Sequence, residues 1–184
     1  MATFLNNHKV RGLRNNNPGN LIRTSLAWQG KIPFPQSKDL KFEQFTSIEA
    51  GIRAMFKDLI NDINKGKNTI TKLIHEYAPP HENNTTAYIN SVSKSVGVQP
   101  NEIITSVNTA FLLALGRAIL KVELGTSHTD VTDTMLKNGI QLLGDYKLSN
   151  VSVTTKSVGG IFLMILIPAM VFFYTIVSFQ IILT

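Results

Sequence analysis

From Ile161 to Thr184 the chain reads IFLMILIPAMVFFYTIVSFQIILT, without one charged side chain, and Lys156 is the last charge before it. As a helix, such a run is long enough to cross a hydrocarbon layer of roughly 30 Å. Pro168 and Gln180 are tolerable within it, because neighbouring groups can satisfy the backbone. A buried core helix rarely runs this long without a charge. The sequence therefore divides into a charged, water-facing part and one C-terminal transmembrane helix over 161–184. Residues 145–160, rich in Ser, Thr and Val and ending in Gly159-Gly160, read as a linker. Met1–Val10 is short and polar and does not read as a signal peptide, so the chain is expected to be a single-span, tail-anchored protein.

The charged part carries the chain's whole excess of +6. That excess suits an anionic polymer or surface. There is no Lys/Arg-rich run with interleaved aromatics, so nucleic acid is not expected as a partner. The chain contains no cysteine, which excludes disulfides and thiolate zinc sites. His8, His75, His81 and His128 show no metal-binding spacing, and no cofactor motif is present. No metal or cofactor is expected.

Residues 1–10 read as a loose arm. Next comes Arg11-Gly12-Leu13-Arg14-Asn15-Asn16-Asn17-Pro18-Gly19-Asn20-Leu21-Ile22-Arg23. Asn tolerates positive φ, Pro fixes φ and Gly frees it, so this is a tight loop dense in amides and flanked by cations. It reads equally as a structural turn or as a polar ligand site. Amides do not titrate, so the loop can bind or orient but cannot act as acid or base. Leu21-Ile22 with Leu40-Lys41-Phe42 and Phe45 suggests a small β-lobe. Trp28, the only tryptophan, is placed either to stack on a sugar ring or to fill the lobe's core.

Helices follow. Thr46 to Glu49 reads as a capping box, and Ile52, Met55, Phe56, Leu59, Ile60 and Ile63 mark one helical face ending near Gly66. Asn68-Thr69 opens a second helix that Pro79-Pro80 stops. Asn84 or Thr85 caps a third that ends at Gly97. Pro100 reads as the first position of the next helix, continuing from Val107 to Leu124 as a central helix apolar nearly all round, with Gly125 at its end. A last helix is expected over about Val131–Leu143.

Two glutamates are candidates for chemistry. Glu123 stands at the C-terminal end of the apolar helix. Lost hydration and the helix dipole both disfavour its charge, so it can hold a proton near neutral pH. The alternative is a surface Glu following Lys121. Glu82, between Pro79-Pro80 and Asn83-Asn84, is the second choice, and there the alternative is stabilisation of a helix N-terminus.

The run RGLRNNNPGNLIR, Trp28-x-Gly30, Phe42-x-x-Phe45, Ala50-Gly51-Ile52-Arg53-Ala54-Met55, Thr69-Ile70, YAPPHENNT and Tyr88-Ile89 together resemble a family of phage virion-associated proteins. That family is read as having a lysozyme-like, peptidoglycan-degrading domain. The match spans about Arg11 to Gly144. The resemblance implies a mainly α, lysozyme-like domain over 11–144 with a small β-lobe. The motif order looks permuted relative to bacterial glucosaminidases and transglycosylases, which makes Glu123, in Glu123-Leu124-Gly125, the implied acid. The implied function is local cleavage of peptidoglycan glycan strands by a lytic transglycosylase during phage entry. Asn15, Asn17, Asn20, Trp28, Tyr77, Asn83 and Tyr88 would line the cleft, and Arg14 and Arg23 would meet anionic stem peptides. Other virion proteins and the lipid membrane of a membrane-containing particle are the implied partners. The alternative is a non-catalytic structural or wall-binding virion protein with a degenerate fold of the same kind, and a third reading is a host-membrane lysis accessory.

Overall fold

The computed structural model describes residues 2–79 and 84–144. Glu82 and Asn83, the 145–160 linker and the 161–184 span lie outside the described residues. Among the described residues, no helix is long and apolar enough to cross a membrane.

The architecture is mainly helical: α1 (Arg11–Arg14), α2 (Ile48–Asn64), α3 (Ile70–Tyr77), α4 (Thr85–Val96), α5 (Thr109–Leu124) and α6 (Asp133–Gln141), with short 3-10 helices at Phe34–Gln36 and Gly125–Asp130. The helix most fully enclosed is α2, with Ile52, Met55, Phe56, Leu59, Ile60 and Ile63 all buried. It packs against α6 and α3, while α5 packs against α4, α6 and α1. One core joins Leu13 of α1, the α2 face, Leu73 and Ile74 of α3, Tyr88 and Val92 of α4, and Leu112, Leu115 and Ile119 of α5.

The caps explain the boundaries. Thr69 and Asn84 accept bonds from the Lys72 and Ala87 amides, and Gly97 closes α4 in the left-handed region. Three expectations need correction. The cap of α2 is Ser47, bonded to the Ala50 amide, and not Thr46. The Glu49 carboxylate, freed from a capping box, accepts the Ala2 amide at 3.0 Å instead. Pro100 starts no helix: its carbonyl accepts the Thr71 amide and hydroxyl and so anchors the start of α3, and α5 begins only after its cap, Asn108. Helix α5 is also less enclosed than its composition suggests, since Val122 is 42% exposed.

The segment before α2 forms a loop-rich lobe. The expected β-lobe is reduced to two isolated antiparallel bridges, Ile22 with Phe42 and Lys31 with Phe45. Phe45, Ala50 and Ala54 make a small second core, with Leu21 and Trp28 packed on it. The N-terminal arm is not loose. Ala2, Phe4 and Val10 pack on the main core, and the Ile48 amide donates to the Ala2 carbonyl.

Candidate functional site

The three consecutive asparagines are structural. Asn15, Asn16 and Asn17 are at most 1% exposed. The Asn15 amide donates to Asp39 at 2.7 Å and accepts from Gln44 at 2.8 Å. Asn16 donates to the Phe45 carbonyl at 3.0 Å and to Thr3, and accepts the Phe4 amide. Asn17 donates to the Leu21 and Glu43 carbonyls and accepts the Leu21 amide. Each amide is thus used up tying arm, loop and lobe together, as buried polar groups require. The expectation that Asn15 and Asn17 face a ligand is corrected accordingly. Asn16 and Asn20 sit at φ 48° and 51°, the left-handed region that Asn tolerates. At Gly51 of α2 an added Cβ would lie 1.8 Å from the Asn16 carbonyl oxygen, so glycine lets the loop lie directly on the helix.

Asn20 is different. With its three predecessors committed to the scaffold, its side chain is turned to Glu123, whose Oε2 accepts from Asn20 Nδ2 at 2.8 Å. Glu123 Oε1 accepts from the Tyr88 hydroxyl at 3.0 Å. Tyr77 donates its hydroxyl to the Gly19 carbonyl, pinning the loop to α3. The loop and α4 therefore both bond the Glu123 carboxyl of α5, while α3 holds the loop in place.

That carboxyl forms part of a cavity of about 640 Å³, walled by Asn20, Trp28, Phe42, Asp58, Tyr77 and Glu123 among others. Burial raises the pKa of Glu123, and the donors Asn20 and Tyr88 partly oppose the rise by favouring the anion. Tyr77 and Tyr88 are both pushed up, mainly by burial and then by the Glu123 charge, so both stay neutral donors. Each Glu123 oxygen keeps a second lone pair, so a proton can sit there without breaking either bond.

Three further carboxyls that line this cavity were not foreseen: Asp58, Asp62 and Glu76. Asp58 of α2 lines the same cavity, and its pKa is raised to about 6, first by burial and then by Asp62. The sequence did hold a signal: Asp58 and Asp62 are like charges four residues apart on a helix, an arrangement that destabilises unless something uses it.

The other expected site residues are placed as follows. Trp28 packs on the lobe core, one of its two suggested roles, and also lines the cavity. Arg14 is turned away from Glu123. It donates to the His8 and Lys9 carbonyls and lines a second cavity of about 600 Å³ with Arg11, Asn15 and Lys38. Arg23 stacks on Phe34 at 3.8 Å. Among the described residues no cluster of His, Cys, Asp and Glu could hold a metal ion.

Fold and site together define a class: a small helical domain whose loop-rich lobe and bundle enclose a single oriented, partly buried carboxyl in an open polar cleft. The sequence is 33% identical over 125 residues to Protein P5 of Pseudoalteromonas phage PM2, an alignment covering 66% of this chain and 75% of that protein. The chain belongs to the family of this phage protein. No model of a known protein family matches it.

Proposed function

We propose that the cleft cleaves the glycan strands of peptidoglycan, that the domain is lysozyme-like, and that Glu123 is its acid and base. The observation that carries this reading is the Glu123 carboxyl, held by Asn20 and Tyr88 at the end of an apolar helix, raised in pKa and facing an open cleft. A general acid for glycosidic oxygen needs that combination.

The favoured chemistry is lytic transglycosylation. The protonated Glu123 carboxyl gives its proton to the bridging oxygen as the C1–O bond breaks. The sugar's own 6-hydroxyl then bonds to C1, and its proton returns to Glu123, leaving a 1,6-anhydro end. Only one carboxyl is required, and Glu123 is the one the cleft orients. Asp58 in the same cavity favours a second chemistry, hydrolysis with two carboxyl groups.

Kinship with a phage protein supports a place in a virion, beside other virion proteins. The uncharged run over 161–184 supports anchorage in a membrane of that virion. The enzyme would then open the wall locally during entry.

The test is incubation of the full chain with purified sacculi, followed by mass spectrometry. The transglycosylase reading expects 1,6-anhydro-muropeptides, all lost in Glu123→Gln. Reducing ends that disappear in Asp58→Asn would establish the hydrolase. Sacculus binding without products would establish the non-catalytic, wall-binding protein.

A further inference from the structure

The lobe presents an exposed surface that begins at the rim of the cleft, which Ile22, Leu26 and Lys41 help to line, and runs on past it to Phe34 and Leu40. Four of the six exposed large apolar side chains of the described residues fall within it: Ile22, Leu26, Phe34 and Leu40, the last 86% exposed. The same segment carries Arg23, Lys31, Lys38 and Lys41. Its two acids are not on the surface. Asp39 is buried and takes a two-pronged bond from Arg11, and Glu43 is buried and paired with Lys31.

These groups form one face. The Arg23 guanidinium lies 3.8 Å from the centre of the Phe34 ring and donates to the Phe34 and Leu40 carbonyls. Lys31 Nζ lies 4.2 Å from the same ring and donates to the Leu26 carbonyl. Leu40 stands at the rim of the 600 Å³ cavity lined by Arg11, Arg14 and Lys38 and by Asp39, whose charge Arg11 neutralises. Cleft acids Asp58, Asp62, Glu76 and Glu123 line the other cavity, which Ile22, Leu26 and Lys41 border and which Phe34 and Leu40 do not reach.

We propose that this face docks on an anionic phospholipid bilayer, with Phe34 and Leu40 entering the interface and Arg14, Arg23, Lys38 and Lys41 meeting lipid phosphates. Apolar side chains ringed by cations, with the acids withdrawn, complement a surface that is negative outside and apolar just below. A wall polymer offers the negative charge but no apolar layer for Leu40. The proposal does not depend on the glycan-cleaving reading.

The natural chain has no cysteine, so Leu40→Cys in the full chain takes an environment-sensitive fluorophore at one place. The labelled chain is mixed with phosphatidylcholine vesicles and with vesicles that also contain phosphatidylglycerol. Insertion of the uncharged C-terminal run does not depend on lipid charge, so it contributes equally to both. A blue shift is expected with the anionic vesicles alone, and none from a label at Ile103→Cys. Each cation near the surface is worth about a fivefold change in partition, so Lys38→Glu with Lys41→Glu should weaken the effect at least ~25-fold. Both residues are exposed, and circular dichroism checks the fold of the double variant. Equal shifts on both vesicle types, no shift on either, an equal shift at Ile103, or a shift that survives the charge reversal would each overturn the proposal. A shift with sacculi and none with vesicles would overturn it in favour of a wall-facing surface.

Discussion

Asn17→Ala should cost the domain a large part of its stability. Asn17 is fully buried and makes three bonds: to the Leu21 carbonyl at 2.9 Å, to the Glu43 carbonyl at 3.0 Å and from the Leu21 amide at 3.0 Å. The Leu21 carbonyl keeps the Glu43 amide as a partner, so its loss is small. The Glu43 carbonyl, in a buried residue, is left bare, and the half-buried Leu21 amide must find water. One fully orphaned group at about 1–3 kcal/mol and two weaker losses near 0.5–1 kcal/mol give roughly 2–5 kcal/mol. A domain of this size has about 5–15 kcal/mol in all. Urea unfolding followed at Trp28, the single tryptophan and a member of the lobe core, reads the change in the part of the fold affected. Asn17→Asp keeps the acceptor for the Leu21 amide but points an oxygen at two carbonyl oxygens. It should be at least as damaging near neutral pH and should recover partly in acid as the carboxyl protonates. A loss below about 0.5 kcal/mol for Asn17→Ala, within the range of ordinary surface substitutions, would refute the assignment of the triple asparagine as scaffold.

Gly51→Ala tests the same junction from the helix side. Its Cβ meets the Asn16 carbonyl at 1.8 Å, a backbone atom that cannot swing away, so the folded yield of soluble chain should fall sharply, read by circular dichroism and expression. Tyr88→Phe removes a donor to Glu123 while keeping the ring. Because that donor favours the anion, the pKa of Glu123 should rise further, and the alkaline limb of cleavage of sacculi should move to higher pH. Asp58→Asn should stabilise the domain above pH 6. A carboxyl whose folded pKa of about 6 exceeds its unfolded value loses stability as pH rises between the two, and the amide does not titrate. Asp58 is partly exposed, so screening holds the gain to about 1 kcal/mol, measured as the difference between wild-type and variant urea midpoints at pH 4 and pH 8.

The helices were largely legible because local side chains set their ends. Thr69, Asn84 and Gly97 can be read as caps directly, and each acts as one. The misreadings come from groups claimed by distant parts of the chain. Glu49 would complete a capping box, but the Ala2 amide takes it. Pro100 has the right φ for a helix start, but its carbonyl is held by Thr71 on another helix. The asparagines were the hardest case. An amide that binds a ligand and an amide that binds a carbonyl 26 positions along the chain, as Asn17 binds Glu43, are the same residue in sequence. Glu123 could be placed at the end of α5 from its neighbours, but its partners Asn20 and Tyr88 lie 103 and 35 residues away, and only folding joins them.

This division of labour constrains how the cleft carboxyl can be tuned. Burial pushes Glu123 towards its neutral form, while Asn20 and Tyr88 pull it back. The pKa of Tyr77 is raised by burial and by the charges of both Glu123 and Asp58, so it stays a neutral donor beside them. Anything that filled the cleft and excluded water would add desolvation in the same direction as burial. Protonation of Glu123 is thus favoured when the cleft is filled. Asn20 is the one member of the asparagine-rich loop placed to oppose this. An amide there, where a lysine would fix the anion and an apolar side chain would leave it unoriented, lets Glu123 hold its direction and still exchange its proton.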